Sequence, residues 1–266
     1  MVTHPYIRVA FPLINLNHIT MDPTSYEPEG PLVTGIAQPP DIFNANLRGS
    51  YVSLTPLSGS HAAQLYLNIG GAQNAHLYKY LSSGPFTTEE EFKKYVEELC
   101  SNTSLFPFAI LSEDPVHKFE KQGENEWPGT AIGIISLLNI VVPHRSVEIG
   151  HVLYAPTLQR TTAATEVVYL LMKYAFEDLG FLRVEWKCNE KNRPSAKAAL
   201  RLGFVTEGTF RAHMIVKGRR RDSCWFSIIE DEWDGVKKAL ENWLADENFE
   251  GGKQKRKLED IRAPKA

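Results

Sequence analysis

From Val147 to Trp233 the spacing of apolar positions switches repeatedly between a period of two and a helical period, predicting strand, short loop, helix, strand, helix and hairpin in that order. The first strand, Val147 to Tyr154, ends at Pro156. The helix that follows, from about Ala163 to Leu179, places Val167, Leu170, Leu171, Tyr174 and Ala175 on one face and finds its stop at Gly180. Arg183 to Cys188 reads as the next strand, and a helix from Pro194 to Leu202 ends at Gly203. Thr209 to Val216 and Arg221 to Ile229 pair as a hairpin around Lys217-Gly218-Arg219.

Upstream, Tyr51 to Leu57 alternates as a strand, and Ser58 and Ser60 offer caps to a helix starting near His61. Thr87 or Thr88 with a glutamate three residues on forms a capping box for a helix carrying Phe92, Tyr95, Val96 and Leu99. Strands follow at Phe106 to Leu111 and Thr130 to Val142, joined by a polar insert expected to be a long hairpin loop. Residues 1–47 are rich in Pro, Gly and Asn and are expected to wrap the domain as an extension. Residues 48–233 carry the periodic pattern of one α/β domain, and 234–266 are expected to begin as a helix and decay into a basic, disordered tail.

Composition narrows the class. Hydrophobic residues make up 43% of the 266, enough for a sizeable core, and the formal charge of −3 gives no global field toward nucleic acid or membrane. Cys100, Cys188 and Cys224 are too scattered for a disulfide framework or a zinc pattern, so no metal is expected. The N-terminus lacks a secretory pattern, and the longest apolar run, Ala131 to Val142, is too short to span a bilayer. These features predict a cytoplasmic protein, a monomer or homodimer. The basic run Lys253 to Lys257 reads first as a solvating tail and second as a nuclear-import or ribosome-contact signal.

Several residues could carry chemistry. The loop Gln159-Arg160-Thr161-Thr162-Ala163-Ala164 joins a strand end to a helix start, where unpaired amides and the helix dipole favour an anion. Thr161 or Thr162 is equally at home as a simple N-cap. Asn192 is a good N-cap for the next helix, with Ser195 in its first turn. Glu148 and His151 share the first strand. Three residues apart, they are expected to point to opposite faces, so that only one faces a site. Glu148 has an alternative role as a carboxylate satisfied by Arg145 or backbone, and His151 as a hydrogen-bonded core residue. The basic run Lys217 to Arg221 reads as a solvated turn before a phosphate patch.

The phrases EIGHVLYAP, LQRTTAATE, NEKNRPSAKAALRLGF, EGTFR and KGRRRDSCWFS together resemble the GNAT acetyltransferase superfamily, nearest to its RimJ/RimL-like ribosomal-protein N-acetyltransferases. The likeness spans roughly Ser50 to Trp233. It implies an α/β GNAT fold, a mixed twisted sheet of about six or seven strands with helices on both faces. It also implies acetyl-CoA as co-substrate, entering where the strands Val147–Tyr154 and Arg183–Cys188 splay. Backbone of Val152, Leu153 and Tyr154 would pair with pantetheine, residues Gln159, Arg160, Thr161, Thr162, Ala163 and Ala164 would hold the pyrophosphate, and Asn192 would lie along the cofactor arm. The family loop has the form Q/R-x-x-G-x-G/A, and Thr162 stands where its central glycine usually sits. By the same likeness Ser195 would protonate the CoA thiolate, since Ala198 and Ala199 stand where many relatives carry a tyrosine. Glu148, with His151 or water as alternatives, would help deprotonate the amine. The acceptor would be a protein N-terminus or a small amine. A CoA-binding or interaction module without turnover is the other reading, motivated by the missing glycine and tyrosine.

Overall fold

The computed structural model describes residues 30–41, 45–112 and 129–262. The expected hairpin loop before Gly129 and most of the expected N-terminal extension lie outside them. The chain divides into two compact units, 1–34 and 35–266, and the description below concerns the second.

The alternating segments form β1 (Leu47–Arg48), β2 (Val52–Pro56), β3 (Leu105–Ser112), β4 (Thr130–Val141), β5 (Ser146–Tyr154), β6 (Arg183–Asn189), β7 (Val205–Val216) and β8 (Arg219–Ile229). They make one sheet in the order β1-β2-β3-β4-β5-β6-β8-β7. Only the β5–β6 pair is parallel. The sheet thus has eight strands against the six or seven expected, because two-residue β1 is too short to show a period. The β7–β8 turn uses Lys217 (φ 49°) and Gly218 (φ 70°), both left-handed, as a two-residue hairpin requires.

Helices cover both faces. On one lie α1 (Ala62–Ile69) and α2 (Glu89–Ser101); on the other lie α3 (Thr162–Lys173), α4 (Arg193–Leu202) and α5 (Glu230–Leu244). Thr88 and Glu91 close the capping box of α2, with Glu91 N donating to Thr88 Oγ1 at 3.2 Å. Helix α3 runs into a π turn, Tyr174–Asp178, where continuous α-helix was expected. Its buried Glu166 accepts hydrogen bonds from the backbone N–H groups of Ser50 (2.7 Å), Tyr51 (2.7 Å) and Val52 (3.0 Å), tying the β1–β2 turn to the helix. Gly49 makes this approach possible, since a Cβ there would lie 2.3 Å from the Glu166 carboxyl carbon.

Both chain extensions are more integrated than their composition suggests. Ala37 and Ala45 are buried, and Gln38 N donates to Leu179 O at 2.8 Å. After α5 the expected disordered tail is instead a small hairpin, β9 (Phe249–Glu250) and β10 (Lys253–Gln254), and a helix, α6 (Leu258–Arg262). Leu258 is buried, and Asn248 Nδ2 donates to Trp243 O at 3.0 Å and to Arg256 O at 3.2 Å. A few anchors in a run of exposed basic residues leave no periodic trace, which explains the discrepancy. Arg262 donates to Arg201 O (2.8 Å) and Leu200 O (3.0 Å), placing a cation at the C-terminal end of α4. We propose on these grounds that the folded body runs from about 35 to 262 rather than from 48 to 233.

Candidate active site

Parallel pairing of β5 with β6 runs from Ser146↔Arg183 to Ile149↔Trp186 and then stops, although both strands continue. Beyond Ile149, β5 bonds only to β4, through Ile134↔Leu153 and Gly133↔Tyr154. Among the described residues, the backbone of Val152 to Tyr154 therefore has no strand partner across the gap on the β6 side. The β4–β5 register shifts beside His151, whose φ of 53° marks a β-bulge.

The gap leads to the start of α3. Thr161 is the N-cap: its Oγ1 accepts from Ala164 N at 3.1 Å and donates to Leu158 O at 2.6 Å. Thr162 is the first helical residue, so the position where a glycine is usual here has ordinary helical backbone. The left-handed residue is Arg160, φ 63°. Gln159 Nε2 donates to Tyr154 O at 3.1 Å, tying the loop to the end of β5. The amides of Thr162 and Ala163, in the first turn, have no intrahelical acceptor and face the helix N-terminus. The cap role foreseen for a threonine is filled by Thr161, and the helix start keeps two amides that the cap does not use.

On the α3–α5 face, α4 begins at Asn192, whose side chain accepts from Ser195 N at 3.4 Å. Ser195 Oγ accepts from Trp186 Nε1 at 3.0 Å, and the Cys188 sulfur lies beside it. Burial pushes the Cys188 thiol above its ordinary pKa, so it stays protonated. Trp186 and Cys188 alternate with Arg183, Glu185, Lys187 and Asn189, which point to the α1–α2 face.

Glu148 belongs to that second face, paired in register with Glu185. It is 5% exposed, and its Oε2 receives Asn139 Nδ2 at 2.6 Å and Lys187 Nζ at 2.9 Å. Lys187 also meets Glu185 Oε2 at 2.8 Å and sits 3.6 Å from the Trp225 ring centroid. Burial opposes charge on Glu185, yet bonds from Lys187 and Arg183 hold its pKa below the usual carboxylate range. Arg145, considered as the partner of Glu148, instead donates from Nε to Gly180 O at 2.8 Å. Ser195 and Glu148 therefore lie on opposite faces of the sheet, on either side of the gap.

His151 does not point away from Glu148, as strict alternation predicted. The bulge turns it to the same α1–α2 side, where its Nε2 lies 2.6 Å from Tyr95 Oη. Burial lowers its pKa from 6.5 to about 4, so it is neutral at physiological pH and weakly basic. Because the unfolded chain binds this proton near pH 6.5 and the folded one only near pH 4, the associated stability is complete above 6.5 and is lost as pH falls toward 4. Chemical denaturation across that window should show a smaller loss in His151→Asn, which tolerates the left-handed backbone, than in the parent.

Sequence reasoning missed Lys187 and Asn139. The signal for Lys187 was present: a strand reading R-V-E-W-K-C-N alternates charge with bulk, and in a central strand the charged side must be satisfied by neighbours. Two further atoms of this face, Trp225 Nε1 and Arg221 Nε, are buried donors with no acceptor among the described residues. The roof is pinned by Lys217 Nζ donating to Tyr78 O (3.0 Å) and Tyr80 Oη to Lys191 O (3.0 Å). Among the described residues no cluster could hold a metal ion.

Residues 52–205 match the family model described as "Acetyltransferase (GNAT) domain". A GCN5-related N-acetyltransferase from Brucella melitensis is similar in structure, with TM-score 0.77 and 34% identity over 86% of this chain and 98% of that one. The provisionally named ribosomal N-acetyltransferase YdaF of Bacillus subtilis (strain 168) is 32% identical over 111 residues, 42% of this chain and only 60% of YdaF. The spermidine N-acetyltransferase of Vibrio cholerae, solved with CoA and spermine, shares the fold at 18% identity and TM-score 0.53, over 70% of this chain and 99% of that one.

Proposed function

The chain belongs to the GNAT acetyltransferase family, and from that footing we propose that it transfers an acetyl group from acetyl-CoA to a primary amine by direct attack. The observation that carries this reading is the gap where β5 and β6 part, with the first amides of α3 at its end. In the proposal, pantetheine pairs with the open β5 edge at Val152 to Tyr154, the pyrophosphate sits on the amides of the 159–164 loop, and Asn192 lines the arm. The amine nitrogen arrives from the α1–α2 face and attacks the thioester carbonyl. A β5 backbone N–H stabilises the oxyanion, the C–S bond breaks, and Ser195 donates to the departing thiolate from the opposite face. The amine proton passes to Glu148, directly or through one water.

Unpaired donors favour a peptide N-terminus over a polyamine as acceptor. The unpartnered N–H groups of Trp225 and Arg221 suit a ligand that brings carbonyl oxygens. Mixing the chain with acetyl-CoA and a panel of peptides and amines, and following free thiol, tests the proposal. Thiol release above background supports turnover, with peptides ahead of polyamines. CoA binding without release across the panel would leave the non-catalytic module standing.

Thr162→Pro tests the pyrophosphate assignment cleanly. Proline suits the first helical position, and Thr161 already has the extended backbone (φ −101°, ψ 168°) that a following proline demands. The fold should survive while one anion-facing amide is lost, weakening CoA binding by about 10–100-fold for a hydrogen bond to a charged group. Thr162→Gly should bind at least as well as the parent. Calorimetry finding equal affinity for the proline variant and the parent would remove the assignment.

A further inference from the structure

Lys187 is the first β6 residue past the last β5–β6 pair, and its side chain is only 11% exposed. A buried ammonium persists only where partners replace its water, and here two carboxylates and the Trp225 ring do so. Asn139, left-handed at φ 48° where the β4–β5 register shifts, adds its amide to the same Glu148 oxygen that Lys187 holds. Both donors therefore converge on Oε2. Among the described residues no protein donor meets Oε1, which lies beside Gly150. A Cβ at Gly150 would stand 3.3 Å from Oε1 and 2.9 Å from Leu138 Cδ2, so the glycine is what lets this oxygen and Leu138 pack so close to the strand.

We propose that Lys187 is a positioning residue for amine deprotonation: with Asn139 it grips Glu148 by Oε2 and thereby leaves Oε1 to receive the proton of the acceptor amine. The inference rests on the reading of Glu148 as the proton acceptor. The charged and titratable groups facing Glu148 are Lys187 and Glu185 from β6, His151 from its own strand and Tyr95 from α2, with neutral Asn139 from β4. Lys187 is the cation in direct contact. Without it, only Asn139 would hold Glu148 Oε2.

The test uses the full chain with acetyl-CoA and the best acceptor from the amine panel, comparing the parent with K187M, K187R, E148Q and E148Q/K187M. K187M should lower kcat by at least about tenfold with KM for acetyl-CoA near parental. A group that only packs the sheet would not split kcat from KM in this way. K187R, which keeps a cation beside Oε2, should restore most of kcat. In the E148Q background K187M should add little, because its effect runs through Glu148. A parental kcat in K187M, or a further tenfold loss on adding K187M to E148Q, overturns the role of Lys187 while leaving that of Glu148. If E148Q itself keeps the parental kcat, the reading of Glu148 falls and the proposal with it. Should K187M alone not fold, the comparison of E148Q/K187M with E148Q decides between these outcomes, since removing both charges leaves neither of this pair buried without its partner.

Discussion

Glu166→Ala should melt far below the parent. Three backbone N–H groups, of Ser50, Tyr51 and Val52, would lose a charged acceptor at once, and no other group on α3 reaches them. Only the Val52 bond is buried, and the part-buried Ser50 and Tyr51 donors regain some water. At about 1–3 kcal/mol for a buried donor left unsatisfied, the loss should reach roughly 2–4 kcal/mol, or about 10 °C in Tm for a domain of this size. Glu166→Gln should rescue little, because its amide would place a donor against donors. Gly49→Ala should be nearly as damaging, since the new methyl would meet the carboxylate at 2.3–2.7 Å. The two losses should not add: with the carboxylate gone, Gly49→Ala has little left to strike. Thermal melts of both single variants and the double variant measure this, and full additivity would show that the turn is held by something other than this clamp.

The second large effect is kinetic. Ser195→Ala should lower kcat by about 10²–10⁴-fold, the usual worth of one proton-donating group, with CoA affinity close to parental because the thiolate charge develops only during reaction. The hydrogen bond from Trp186 to Ser195 Oγ, with the Cys188 sulfur beside the hydroxyl, holds the serine in place before the thiolate forms. Trp186→Phe separates this role from mere packing. It removes the indole donor but keeps the hydroxyl, so it should cost far less in kcat than Ser195→Ala. Single-turnover rates are the measurement. A Ser195→Ala enzyme with the parental chemical step would make water the donor.

Much of this architecture was readable from periodicity. The strands from Val52 onward and the helices that flank the gap appear where apolar spacing put them, because each buries one clear face. What escaped notice depended on contacts between distant residues or on single dihedrals. β1 has two residues and exists through the Glu166 clamp. The bulge at His151 is one positive φ, and it alone reverses the face to which the histidine points. Lys187 reads in sequence as an ordinary strand lysine, and only the convergence of β4, β5, β6 and β8 reveals what surrounds it. The ordered tail rests on a few anchors, among them Asn248 and Leu258, within a run whose composition resembles a solvated end.

The backbone of the 159–164 loop has a bearing on how such chains evolve. Its left-handed turn falls at Arg160, and the helix opens on an ordinary residue, Thr162. Under the proposed function, a loop reading its ligand through amides would impose a shape on the chain rather than an alphabet. Once the positive φ is accommodated one place, selection on the neighbouring letter relaxes. A glycine can then drift to threonine without moving an amide. Relatives in which the glycine has been lost should show the same compensation, a left-handed residue two positions before the helix start, and a search keyed to that dihedral would gather family members that a search keyed to the glycine passes over.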